Sequence, residues 1–291
     1  MVADSLAQEG SKLIPITGRV PALTGGFQKN AAFVFLTVDG EGALELFEKM
    51  DGFRISGIPF VHIGMLGAAE LLPESLKWEI ATALACITLG LNPFDWPDVR
   101  YPRRIAMELL DKLSVDPGAL LRTPSLQESG IQLFAEARTR SDISTLNLVE
   151  SFRSFFRLNE PQRFLVLLVF LDRTPAVESP RYEIRTQLTR QLGIPVFLTY
   201  GPRCFDQYAY RCLTGASEAL LIVLTADYPS DFSIPGAHYT FSQLHSALCL
   251  GEFESIVHSE RLATRINLTG DLAEALADLE QAFAKALSHP H

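Results

Sequence analysis

Residues 76–103, LKWEIATALACITLGLNPFDWPDVRYPR, contain one complete helix, a turn and the start of another helix. Good helix formers fill residues 76–91, and their apolar side chains occupy most of the circumference, which predicts a buried helix. Pro93 has no amide hydrogen and disfavours a helical conformation at Asn92, so the chain turns there. A second helix is expected to begin near Pro97, because proline is tolerated in a first turn.

Strand-sized apolar runs lie on both sides of this helical segment. Residues 32–39 and 58–65 precede it, with a short helix over residues 43–51 between them. Residues 164–171 and 219–224 follow it and are the longest apolar runs of the chain. Alternation of strands with helices predicts parallel sheets covered by helices.

We therefore predict an α/β protein with two sheets. Residues 1–115 are expected to form a partial doubly wound parallel-sheet domain. Residues 116–159 are expected to be a helical connection, with helices over residues 131–140 and 144–158. Residues 160–291 are expected to form a second, smaller α/β domain, whose last helix, over residues 271–287, begins with Asp271 close to a capping position.

Composition excludes several classes of function. The chain has 291 residues, 47% of them hydrophobic, and a net charge of −9, which argues against a nucleic-acid or anionic-membrane surface. The apolar runs are shorter than the roughly 20 residues of a membrane helix, and no secretory signal precedes them, which predicts a cytoplasmic protein. The chain has four cysteines: Cys86, Cys204, Cys212 and Cys249. Their spacing is not that of metal ligands, so they are expected to be reduced. No cofactor or metal site is predicted.

The turn segment carries a resemblance to a known family. Residues 92–103, NPFDWPDVRYPR, are similar to the motif Asn-Pro-Phe-Asp-Gln-Pro-Asp-Val-Glu-Ala-Ala-Lys. This motif belongs to the glucose-6-phosphate isomerase module of the bacterial bifunctional transaldolase/glucose-6-phosphate isomerases. The final lysine of the family motif is a catalytic-site residue, and Arg103 stands at its position, while Trp96 replaces the glutamine. The resemblance implies a sugar-isomerase-like fold for the first domain.

Other motifs extend the resemblance to both ends of the chain. Residues 3–10 are similar to the family's Ala-Glu-Ser-Thr-Gly-Lys-Glu-Gly, in which the glutamate moves a proton between C1 and C2 of the sugar; Asp4 takes that position. Residues 200–203 and 235–244 resemble two further family motifs. The family's phosphate-binding loops would precede Asp4, and this chain begins three residues before it. The resemblance thus makes Asp4 and Arg103 the candidate catalytic residues.

Each candidate residue also has a structural explanation. Asp4 could cap a helix, Arg103 could form a surface salt bridge, and His62 fits a core histidine within a strand. One group combines aromatic and basic residues: Arg203, Tyr208, Tyr210 and Arg211. These side chains could line a pocket for an anion, or they could belong to an ordinary half-exposed loop.

Three hypotheses of function follow. The first is a degenerate isomerase that binds carbohydrate derivatives or acts as a scaffold, since most catalytic positions are altered. The second is one subunit of a split sugar-phosphate isomerase, whose partner polypeptide supplies the N-terminal half. The third is a repurposed enzyme acting on another small anionic metabolite. The expected partners are accordingly a sugar phosphate and either that polypeptide or a second copy of the chain.

Overall fold

The computed structural model describes residues 32–38, 43–94, 100–135, 147–157, 164–202, 219–228, 230–259 and 261–288. In chain order the elements are β1 (Phe33–Val38), α1 (Ala43–Ile55), β2 (Phe60–Met65), α2 (Leu71–Leu89), α3 (Arg100–Lys112), β3 (Leu126–Glu128), β4 (Ile131–Ala135), α4 (Leu148–Arg157), β5 (Phe164–Phe170), α5 (Pro175–Leu192), β6 (Val196–Tyr200), β7 (Ala219–Ala226), α6 (Phe241–His258), β8 (Leu262–Leu268) and α7 (Leu272–Leu287). A short 3-10 helix, Ala68–Glu70, precedes α2.

The strands form two separate sheets, which makes the protein α/β as predicted. β1 and β2 form a small parallel sheet with Phe33 opposite Phe60. The other strands form a mixed sheet of six in the order β3-β4-β8-β7-β5-β6. Strands β8, β7, β5 and β6 run parallel, and the hairpin β3-β4 pairs with β8 through the antiparallel strand β4 at one edge.

Strand β5 and most of β7 are apolar without interruption because helices cover both faces of the six-stranded sheet. Along β5, Leu165, Leu167 and Val169 point into the larger core, which α4, α5 and α7 complete. The alternate residues of β5 belong to a second core cluster that includes Cys249 and Ile256 of α6. Successive side chains of a strand point to opposite faces, which explains this division.

Helix α6 lies between the sheet and α3. Ala247 and Leu250 on its outer side pack against Ala106, Leu109 and Leu110 of α3. A helix buried on both sides must be apolar over most of its circumference. Its composition therefore reflects its place in the middle of the layers.

Side-chain caps fix the starts of α6 and α7. Thr240 and Gln243 form a capping box at α6, in which the Gln243 amide donates to the Thr240 hydroxyl oxygen over 3.3 Å. At α7 the Asp271 carboxylate accepts from the amides of Ala273 and Glu274, each over 3.0 Å. The capping position predicted for Asp271 is confirmed.

The helix predicted over residues 131–140 is wrong. Ile131–Ala135 is a strand that pairs antiparallel with β8, Ile131 opposite Leu268. Ile131 and Leu133 are buried on one face, and Gln132 between them is less buried, which is the period-two pattern of a strand. The pairing partner lies more than 120 residues further along the chain, so local composition did not reveal it.

Helix α2 starts earlier than predicted and is not a buried helix. It spans Leu71–Leu89 and ends at Gly90, whose φ of 69° provides the left-handed cap. The apolar side chains of Ile80 and Ile87 are 56% and 72% exposed, and within α2 the buried residues are Thr82 and Cys86. The circumferential apolar pattern thus predicted the helix correctly and its environment incorrectly.

The strand predicted over residues 32–39 is present but is mostly not buried, since Phe35 is the buried residue of β1. The turn after α2 is confirmed: the Asn92 side-chain oxygen accepts from the Phe94 amide over 3.1 Å. Within the described ranges, none of the helices combines the length and the apolarity required to cross a membrane.

Candidate functional site

Polar side chains collect at the carboxyl ends of the parallel strands of the six-stranded sheet. Arg173 follows β5, Tyr200 ends β6 and Tyr228 follows β7. Ligands of open α/β sheets bind at this edge. A solvent-open cleft of about 510 Å³ lies here beside β6 and α5, and its lining residues are Arg173, Glu178, Arg181, Tyr182, Leu198, Thr199 and Tyr200.

Arg181 is the most unusual residue of the cleft because it is charged and only 3% exposed. Its guanidinium carbon lies 4.6 Å from the ring centre of Tyr182 and 4.3 Å from that of Tyr200. Its Nη2 donates to the Glu178 carboxylate. Its Nε and Nη1 are buried and have no hydrogen-bond partner among the described residues. Buried donors without an acceptor are costly, so Arg181 has hydrogen-bonding capacity that the described residues do not use.

Tyr200 connects the two arginines of the cleft. Its ring lies between Arg181 and Arg173, whose guanidinium carbon is 4.1 Å from the ring centre. Its hydroxyl donates to Glu178. Burial, together with this hydrogen bond, raises the pKa of Tyr200 to about 12. The ring is therefore neutral across the physiological range and serves as a stacking surface for both cations.

Glu178 is ionised at neutral pH. The hydrogen bonds from Tyr200 and then from Arg181 hold the pKa of its carboxyl below the ordinary value. The lining thus opposes two arginines with a single carboxylate and keeps a net positive charge.

The start of α5 places these groups around the cleft. Thr174 is the N-cap residue and Pro175 opens the helix, a position that proline favours. Glu178 and Arg181 follow three residues apart in the first turns, which puts them on one face of the helix. The amino end of a helix carries partial positive charge and adds to the attraction for an anion.

A second polar pair lies on the other side of β5. The Tyr228 hydroxyl is hydrogen-bonded to Nδ1 of His245, a half-buried residue of α6. Burial lowers the pKa of His245, and the carboxylate of Asp172 acts in the opposite direction. Among the described residues, no three His, Cys, Asp or Glu side chains are grouped as metal ligands would be.

The two residues predicted to be catalytic are not brought together in the described part of the chain. Asp4 lies outside the described residues. Arg103 is half-buried in the first turns of α3, which packs against α6, and it is not one of the cleft-lining residues.

Of the other candidate residues, His62 lies in the described part of the chain and the remaining five lie outside it. His62 lies in β2, where its Nε2 is 3.0 Å from the hydroxyl of Thr37, in line with a structural role. Trp96 and the four residues predicted for an anion pocket, within residues 203–218, lie outside the described residues.

Sequence reasoning missed all the charged residues that line the cleft: Arg173, Glu178 and Arg181. A usable signal was present, because a fully apolar strand is followed directly by charged residues and by a helix that begins with proline. Tyr200 belongs to a segment that resembles a family motif, but the resemblance assigns it no role. What the sequence could not reveal is that β6 brings its ring between the two arginines.

Comparison with known proteins adds little. No model of a known protein family matches the chain, and no curated protein matches it. Among solved structures, it is similar to a hypothetical protein from Thermus thermophilus, with a TM-score of 0.39 and 15% identity over 87% of this chain. The match spans 57% of that protein.

Proposed function

We propose that this chain is a sugar-isomerase-like binding protein for a small phosphorylated metabolite, of the sugar-phosphate class. The ligand would lie in the cleft between the carboxyl ends of β5 and β6, with its anionic group against Arg181. The residues at the family's catalytic positions, Asp4 and Arg103, differ from the family motif. Binding with little or no turnover is therefore the expected activity.

The observation that carries this proposal is the state of Arg181. Tyr182 and Tyr200 cover its guanidinium, while its Nε and Nη1 have no acceptor within the described residues. A phosphate offers several charged oxygens to such donors, and charge-assisted bonds of this type are short and strong. Arg173, exposed on the opposite side of Tyr200, can provide a second positive charge.

Calorimetric titration with inorganic phosphate, glucose 6-phosphate and glucose tests the proposal. We expect both phosphates to bind and glucose to bind at least about tenfold more weakly, because one charge-assisted hydrogen bond is equivalent to about a tenfold or larger change in affinity. Arg181→Gln should abolish phosphate binding, and Arg173→Gln, which changes an exposed residue, should weaken it.

Arg190→Gln is the matched control, since Arg190 is exposed in the last turn of the same helix. Equal phosphate affinity in the Arg181 variant and the wild type would refute the proposal. Conversion of glucose 6-phosphate by the pure chain would instead favour an active isomerase, and loss of that conversion in Asp4→Asn and Arg103→Met would locate it.

One surface favours the second hypothesis, in which a partner polypeptide supplies the N-terminal half of an isomerase. Helix α2 presents a row of exposed apolar side chains, of which Ile80, Leu84 and Ile87 are all more than half exposed. Apolar surface of this kind is typical of protein interaction sites.

Light scattering and copurification test this role. Ile80→Glu together with Ile87→Glu should release a copurifying chain and leave the fold intact by circular dichroism. Association of the pure chain with itself would indicate a homodimer in place of the split enzyme. A pure wild-type monomer without a partner would contradict both forms of the hypothesis.

A further inference from the structure

We infer that the ligand site extends from the cleft, across the carboxyl end of β5, to a second polar subsite formed by Tyr228 and His245, which binds a hydroxyl group of the ligand. This inference rests on the proposed function. It narrows the ligand to a phosphorylated compound with a hydroxyl group distant from its phosphate.

Contacts connect the two places. The last residue of β5, Phe170, packs its ring against the imidazole of His245, with ring centres 5.2 Å apart. The same ring contacts Gly201, which follows the cleft residue Tyr200, so closely that a Cβ on Gly201 would lie 2.2 Å from it. The Phe170 ring, only 1% exposed, therefore lies beneath the surface and connects the end of β6 to the histidine by packing.

The order of the strands sets the length of the ligand. β5 lies between β6, which carries Tyr200, and β7, which leads to Tyr228. Neighbouring strands are about 4.8 Å apart, so the ends of β6 and β7 are separated by two spacings, roughly 10 Å, along the edge of the sheet. Inorganic phosphate cannot span that distance, whereas a phosphorylated sugar is of comparable length.

The chemistry of the pair favours a hydroxyl group. Nδ1 of His245 is engaged by the Tyr228 hydroxyl, and Nε2 has no hydrogen bond to the part of the chain that the structure describes. If Tyr228 donates to Nδ1, Nε2 carries a proton and donates; in the other tautomer Nε2 accepts. A hydroxyl group both donates and accepts, so it matches either tautomer.

The environment of His245 supports this role. Burial favours the neutral imidazole by lowering its pKa. A neutral ring has no strong preference for a second anionic group, so the phosphate belongs at the arginines and the uncharged end of the ligand at the histidine. The charges of the two subsites thus set the orientation of the ligand.

Titration of two probes, inorganic phosphate and glucose 6-phosphate, into matched variants tests the inference. His245→Phe keeps an aromatic ring beside Phe170 and removes both nitrogens. We expect it to weaken glucose 6-phosphate binding about three- to tenfold, the equivalent of one neutral hydrogen bond, and to leave phosphate binding unchanged. Tyr228→Phe, a milder change, should produce the same selective loss to a smaller extent.

His258→Phe is the control, because His258 is exposed at the far end of the same helix. Equal glucose 6-phosphate affinity in His245→Phe, Tyr228→Phe and the wild type would overturn the second subsite while phosphate binding at Arg181 still stands. Loss of both probes in these variants would also overturn it, since the effect would then not be specific to the hydroxyl end. Failure of the wild type to bind either probe would overturn the proposed function and this inference with it.

Discussion

Replacing Gly251 by alanine tests the close contact between α6 and α3. A Cβ on Gly251 would lie 2.3 Å from the carbonyl oxygen of Pro102 and 3.3 Å from the Cβ of Ala106. The first of these neighbours is a backbone atom, which cannot rotate away as a side chain can. The two helices must therefore move apart in the variant.

Two opposite effects set the magnitude. Alanine favours a helix over glycine by about 1 kcal/mol, which alone would stabilise the variant. Overpacking costs about 1–3 kcal/mol, and a backbone clash, which needs a shift of about 1 Å to reach normal contact, belongs at the upper end. The expected net loss is about 1–2 kcal/mol in the free energy of unfolding, or a fall of about 2–3 °C in Tm for a chain of 291 residues.

Thermal and urea unfolding, followed by circular dichroism, measure this difference. Ser246→Ala is the control, because this half-exposed position of α6 gains helix propensity without entering the contact with α3. It should leave Tm unchanged or raise it slightly. A Tm of the Gly251 variant equal to or above the wild type would refute the close approach of the two helices.

Three further predictions concern caps and titrating groups. Thr240→Ala removes the capping box of α6 and should cost about 1 kcal/mol, measured by urea unfolding. The Glu178 carboxylate has a lowered pKa, so its contribution to stability is present above about pH 4.5 and is lost as the pH falls through the lowered value. Glu178→Gln should consequently flatten the decrease of Tm below pH 4.5; an unchanged decrease would contradict its hydrogen bonds. Burial raises the pKa of Cys249 to about 12, and Cys86 is buried as well. In a variant with Cys204 and Cys212 changed to serine, these two buried thiols should not react with a thiol reagent at about pH 8 until the protein unfolds.

Local sequence patterns predicted β5 and β7, two neighbouring strands of the larger sheet. β5 is an uninterrupted apolar run and β7 is one as far as Leu224, and such runs are typical of strands buried on both faces. Asp271 was recognised because a capping carboxylate acts on amides two and three residues further along. These features depend on neighbours in the chain, which explains why the sequence alone was sufficient.

The errors concern partners that are distant in the chain. Residues 131–135 form a strand because β8 lies beside them, and the helix prediction had no information on that partner. Ile87 is apolar and exposed, so the composition of α2 predicted burial that the described fold does not provide. In the cleft, Arg181 and Tyr200 meet through the parallel pairing of β5 and β6. Such pairings depend on the tertiary structure, and the spacing of residues along the sequence does not reveal them.

The presence of two unequal sheets has a consequence for hydrogen exchange. The amides of β5 and β7 lie in the middle of a sheet covered on both faces, so their exchange should require opening of the whole core. β1 and β2 form a pair of strands with few buried side chains, and a two-stranded sheet alone is marginally stable. These two strands should therefore open and exchange separately, well before the half of the molecule that holds the cleft. The cleft at the end of β6 would thus keep its shape during fluctuations that open the small sheet.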